Sequence, residues 1–316
     1  MPNFQGMWDL RTQFQYAGEW PKPHPTSIGV FFGSYVSSIN TTINFIDLTS
    51  AGNAASFGNL TTAKRLQGGL GSSTRGLTAG GYTGPTNVIE FITFATKSNT
   101  SDFGDLTQAR GYVAGSSNDT RGLFSGGYAS DYSDVIDYVT IASEGNATDF
   151  GNLSIGRYGA SALASPTRSV AGGGVDSNNQ RSNVMDYVTI GSTGNASDFG
   201  DLVVAREYSS ASASETRGLF MGGSVSITYY NNIEYITIAS TGNTTDFGDL
   251  SGSKSVGASC SSNTIAVFAG GTESGGYVNT IDQVTIASTG NATDFGDLLA
   301  AGGQMSSASN CHGGVQ

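Results

Sequence analysis

The chain has 316 residues, 46 of them glycine, with 37% hydrophobic and only 12% charged residues. That length and apolar content exclude a disordered tail, and glycine at about twice its usual share among Val, Ile, Thr, Tyr and Phe points to many short strands and tight turns. A formal charge of −11, from 25 acids and 14 bases, sets the surface against nucleic acid.

In chain order, the first 27 residues differ from everything that follows. The opening MPNFQGMWDLRTQFQYAGEWP holds both tryptophans and lacks the basic stretch plus apolar core of a secretory signal. No apolar run anywhere approaches the roughly 18 residues of a membrane-crossing helix, so no membrane insertion is expected. Tryptophan buries a large rigid area at small entropic cost, so Trp8, Leu10, Gln13, Phe14, Trp20 and Pro21 are expected to form a docking peptide that inserts into a partner. The alternative is a strap packed on the domain's own side. Residues 21–27, PKPHPTS, carry three prolines and read as a stiff linker.

From residue 28 the chain repeats itself. The phrase NATDFGDL at 291–298 recurs with small changes, and its phenylalanine falls at Phe57, Phe103, Phe150, Phe199, Phe247 and Phe295. The gaps are 46, 47, 49, 48 and 48 residues, a period typical of propellers and solenoids. Each copy holds four similar segments. The first is an apolar run ending in a glycine pair, such as RGLFSGGY at 121–128. An alternating strand follows, such as VIDYVTI at 135–141, then the repeated phrase with a base seven residues after its Phe (Lys64, Arg110, Arg157, Arg206, Lys254). The last segment is a strand of small residues: YVAGSSN at 112–118, YGASALAS at 158–165, YSSASAS at 208–214.

Four strands in about 48 residues make one propeller blade, because a lone four-stranded sheet cannot bury both faces and blades stacked around an axis can. The expected fold is all-β: residues 28–316 form a six-bladed β-propeller with four antiparallel strands per blade, behind a short extended anchor at 1–27. Blades are expected at about 28–74, 75–120, 121–167, 168–216, 217–263 and 264–310, then a short tail. Closure without a swapped strand is one possibility; a latch of residues 311–316 onto the first blade is the other. The phenylalanines are expected to plug between blades, and the Thr-Asp and Gly-Asp pairs to cap turns.

The glycine pair with a nearby aromatic and this period resembles kelch-type β-propellers over about nine-tenths of the chain, without their late tryptophan. The wording GGY…VIDYVTIASTGNATDFGDL is similar to glycine-rich repeat proteins of marine bacteriophages, especially cyanophages. At Gly6, Trp8, Leu10, Gln13 and Trp20-Pro21 the opening also resembles short N-terminal segments of phage structural proteins. The resemblance implies a non-enzymatic virion protein, a tail fibre, tail-associated or capsid-decoration component. It would contact other virion proteins through its N-terminus and host-surface carbohydrate or protein through its disc. The alternative is a cellular kelch-like interaction or lectin-like module.

The chemistry of the residues agrees with a protein that turns nothing over. The only histidines are His24 and His312, near the two ends, so no catalytic centre and no cofactor are expected. Acids three apart flank the phenylalanines, as at Asp102 and Asp105, but without a calcium loop they read as turn caps, and no metal is expected. Acids recur in the alternating strand (Glu90, Asp137, Asp186, Glu234, Asp282) and arginines open four copies (Arg75, Arg121, Arg168, Arg217); a ring of ion pairs between the two sets is expected. Recurring Asn-X-Ser/Thr triplets belong to the turn, and Cys260 and Cys311 read as unpaired thiols. The loops after the glycine pairs vary most, so recognition is expected there, on Asp131, Tyr132, Asn178, Tyr229, Tyr230 and Tyr277.

Overall fold

A computed structural model of the chain describes residues 27–311. They form six four-stranded antiparallel sheets around an axis, a six-bladed β-propeller. In blade 3, Ala114–Ser117 lies innermost, followed outward by Arg121–Ser125, Val135–Thr140 and Thr148–Asn152.

The blade boundaries differ from the repeat boundaries. The small-residue strand ends each sequence copy, yet it hydrogen-bonds to the strand that follows it and so opens the next blade. Blade 2 therefore begins at Gly68, not Arg75. The shift decides how the ring closes. Ser306–Ser309, the last small-residue strand, pairs with Ile28–Tyr35 and becomes the inner strand of blade 1. The ring therefore closes by a swapped strand. The tail residues 312–316 and the docking residues Trp8 to Pro21 lie outside the described residues.

Small residues sit innermost because neighbouring backbones crowd there. A Cβ on Gly115 would run into the carbonyl oxygen of Gly69, and one on Gly69 into that of Ser307. Serines stitch these strands together: Ser307 Oγ donates to the Ser259 carbonyl at 2.7 Å and Ser309 Oγ to that of Ser261 at 2.8 Å.

Farther out, each alternating strand is buried on both faces. In blade 3, Ile136 and Tyr138 face blade 4, while Asp137 and Val139 face back toward blade 2. The six repeated phenylalanines lie on the outer strands, each at most 3% exposed, in clusters shared with the following blade. Five of them meet an aromatic ring of their own blade edge-on at 5.9–6.1 Å.

The recurring asparagines reach across blades. Asn53, Asn99, Asn146, Asn195, Asn243 and Asn291 each accept, through Oδ1, a backbone N–H from a neighbouring blade's outer strand at 3.0–3.1 Å. That edge would otherwise present open donors.

Candidate binding face

Two kinds of loop share one face of the disc, here the mouth face: those leading from an outer strand to the next inner strand, and those joining the second and third strands. Backbone pairing ties them together, as at Gly111 with Tyr128, Glu207 with Ser224 and Tyr35 with Gly303. At the axis, Leu66, Tyr112, Gly159, Tyr208, Val256 and Gln304 form a closed circle. Each N–H donates to the carbonyl of the equivalent residue in the preceding blade, at 2.5–3.3 Å. All six have φ between 53° and 66°. Five are not glycine, and one is the β-branched Val256, for which this conformation is a clear outlier.

Tyrosines gather on this face. Of 14 in the chain, Tyr138, Tyr187 and Tyr235 lie in the alternating strands and Tyr16 outside the described residues. The other ten occupy mouth-face loops or strand ends. Tyr82, Tyr112, Tyr128, Tyr132, Tyr158 and Tyr208 form one network, with ring centroids 5.0–6.2 Å apart. Gly159 makes room for it, because a Cβ there would press on the Tyr208 ring at 2.8 Å. Across the axis Tyr35 and Tyr277 meet edge-on at 5.8 Å, and the Tyr277 hydroxyl accepts the Gln304 amide at 3.0 Å. Burial pushes the hydroxyls of Tyr112, Tyr158, Tyr208 and Tyr277 above the ordinary phenol value, so they remain neutral donors.

Both arginines of this face are engaged. Arg65 stacks on Tyr35 at 4.5 Å and donates to Gln304 at 3.0 Å. Arg181 donates twice to one oxygen of the buried Glu207, at 2.6 and 3.1 Å, and that bonding raises its pKa.

The loop residues expected from sequence are spread around the face. Tyr132 belongs to the network and Tyr277 to the smaller cluster. Asp131 is exposed and accepts the Tyr132 N–H at 2.8 Å. Asn178 is exposed in a turn capped by Asp176. Tyr229 lies in a short hairpin with Ser224, and the Tyr230 N–H donates to the Gly223 carbonyl at 2.9 Å. Neither Tyr229 nor Tyr230 meets another aromatic ring among the described residues.

Deeper between the blades lies a ring of buried ion pairs with other partners than expected. Each acid pairs with the base that follows the repeated phrase: Lys64–Glu90 at 3.6 Å, Arg110–Asp137 at 3.1 Å, Arg157–Asp186 at 2.9 Å, Arg206–Glu234 at 3.2 Å and Lys254–Asp282 at 2.9 Å. Burial holds Lys64, Arg110, Arg157 and Arg206 below their ordinary values. The arginines that open the second strand of four blades point to the opposite side of their sheets. Each stacks on the aromatic of its own alternating strand at 4.4–4.7 Å and donates to a carbonyl of the next blade at 2.8–3.3 Å.

Cys260 and Cys311 are free thiols, and burial pushes both up. His24 and His312 lie outside the described residues. Among the described residues, no cluster of three or more His, Cys, Asp or Glu side chains is placed to hold a metal. The fold and this face define a β-propeller with a tyrosine-rich mouth. No family model matches the chain, and no curated protein matches it in sequence.

Proposed function

We propose that this chain is a non-enzymatic recognition propeller of a bacteriophage virion, held by its N-terminal segment and binding a host-surface receptor, carbohydrate in the first place, through its tyrosine face. The observation that carries the binding role is the gathering of ten tyrosines on one face, at positions the repeat does not require. The outer-strand phenylalanines and the blade-bridging asparagines recur in all six blades, whereas Tyr112, Tyr158 and Tyr208 have no counterpart in every copy, and a binding site breaks the repeat in this way. Tyrosine offers a rigid apolar ring with a hydrogen-bonding tip, suited to sugar rings and to protein surfaces alike. The polarity of the disc fits the role. Ser27, where the N-terminal segment joins the disc, and Cys311 lie on the back face, opposite the tyrosines. The virion assignment rests on the likeness of the repeat wording and the N-terminal segment to phage structural proteins.

The test is binding of the fluorescently labelled full chain to cells from its source. Wild type is expected to decorate a subset of cells, and Tyr132→Ala/Tyr158→Ala to lose most of the signal with its melting curve intact. Equal labelling by both would remove the tyrosine face from the proposal. Electron cryomicroscopy of particles from the same source then places the disc on a virion or leaves the cellular module as the better account.

A further inference from the structure

The six blade interfaces provide their own controls on the back face. At four of them an arginine (Arg75, Arg121, Arg168, Arg217) fills the space between blades. At the interface of blades 1 and 2, Lys97 lies over Phe45 at 4.0 Å. The blade 6–blade 1 seam departs from the pattern. Ile265 stands where the arginine would be, and Gln283 where its aromatic platform would be. A cleft of about 690 Å³ opens there, within the range of about 300–1,000 Å³ in which small molecules bind.

The lining determines what suits it. Leu48, Ile265 and Phe295 make an apolar floor, and Thr49, Asn263 and Gln283 stand among uncharged hydrogen-bonding groups on the walls. Among the described residues, none that lines the cleft carries a charge. The nearby Asp47 is turned to the N–H and hydroxyl of Thr49, at 2.9 and 2.7 Å. Asn263 is exposed, and its side chain has no hydrogen-bond partner among the described residues. A charged ligand would lose hydration here with no counter-charge, whereas a ligand with an apolar ring face and neutral hydroxyls meets complementary groups.

We infer that the seam cleft is a binding site for a neutral saccharide unit, separate from the tyrosine face. The proposal does not depend on what the tyrosine face binds. Saturation-transfer NMR on the full chain tests it, with glucose, galactose, mannose, lactose and maltose as probes and glucuronate and glucosamine as charged controls. At least one neutral sugar is expected to receive saturation, and the charged controls at least tenfold less. In a Tyr132→Ala/Tyr158→Ala background, where the mouth face contributes no transfer, Ile265→Arg/Gln283→Tyr rebuilds the brace of the other blades, fills the cleft and is expected to abolish the signal. Tyr132→Ala/Tyr158→Ala is expected to keep it. No transfer to any neutral sugar overturns the proposal, whether the cleft is idle or covered by the chain's own terminal segments. So does transfer that survives the cleft-filling variant. Transfer lost only in the tyrosine variant overturns it too, while supporting the mouth face as the sugar site.

Discussion

Replacing Arg157 with alanine should lower the melting temperature by several degrees, because it leaves a charge buried without its partner. Arg157 and Asp186 have fully buried side chains 2.9 Å apart, and Arg157 also donates to the carbonyls of Val184 at 2.9 Å and Ala171 at 3.1 Å. Without the guanidinium, Asp186 retains one hydrogen bond, from the Ser154 N–H at 3.2 Å. Breaking a buried pair from one side costs about 3–5 kcal/mol. An unfolding entropy of about 2 cal/mol/K per residue gives roughly 0.6 kcal/mol/K for this chain, so the expected drop is about 5–8 °C. Scanning calorimetry at neutral pH reads it. Buried pairs are poorly screened, so the drop should persist in 1 M NaCl, roughly where exposed pairs fade. Arg157→Met/Asp186→Leu removes both charges and should recover most of the loss. A drop below about 1 °C, or one erased by salt, would refute the buried-ring account.

Lys64 forms the longest of the five pairs and its ammonium has no hydrogen-bond partner among the described residues, so Lys64→Arg should stabilise by about 1 kcal/mol through added charge-assisted bonds. Because burial lowers the Lys64 pKa, the folded chain binds fewer protons than the unfolded chain between the folded and unfolded values, and wild-type stability gains with pH there. Arginine does not titrate in that range, so the advantage of Lys64→Arg in thermal unfolding should shrink as pH rises toward 10. Asn195→Ala should cost about 1 kcal/mol in chemical denaturation, because the Asn152 N–H loses its acceptor across the blades, while Asn195→Asp should cost less. Gly115→Ala should destabilise by about 3 kcal/mol or more, read as lost soluble yield or early melting, because its Cβ meets the Gly69 carbonyl.

The blade count was legible because six copies of one phrase at a period near 48 leave few other architectures. The blade boundary was not. A repeat can be cut anywhere in its cycle, and only hydrogen bonding shows that Gly68–Gly71 belongs with Arg75–Ala79. The ion-pair partners were missed for a related reason. Arg121 pairs in register with Thr140, so its side chain shares a face with Tyr138, while Asp137 points the other way. Strand alternation carried that information once the register was known, and Arg110 is the base on the correct side. The mouth was legible in part. Variable loops pointed to Tyr132 and Tyr277, but the network is built as much from Tyr112, Tyr158 and Tyr208, which open three of the small-residue segments. Their presence in only some copies was the available signal.

The seam shows how three positions depend on one another. In three of the pairs the second glycine leaves room for the stem of the buried base: a Cβ on Gly81 would lie 3.2 Å from the Lys64 stem, one on Gly127 3.3 Å from that of Arg110 and one on Gly223 3.2 Å from that of Arg206. At the seam the base is Gly302, the acid is Asn44 and the second glycine is Ser34, so all three members have changed together. A Cβ on Gly302 would lie 3.0 Å from the Ser34 hydroxyl, which now occupies that room. Asn44→Asp alone should therefore cost about 3–5 kcal/mol as an unpaired buried carboxylate. Gly302→Arg alone should cost at least as much, from an unpaired guanidinium pressed against Ser34. In a Ser34→Gly background the two together should be far less harmful than their sum, with a coupling of about 1–3 kcal/mol in a double-mutant cycle followed by thermal unfolding. Additive losses would mean that the seam is no longer equivalent to the other interfaces. Full coupling would mean that one pairing rule governs the whole ring, relaxed where the two ends of the chain meet.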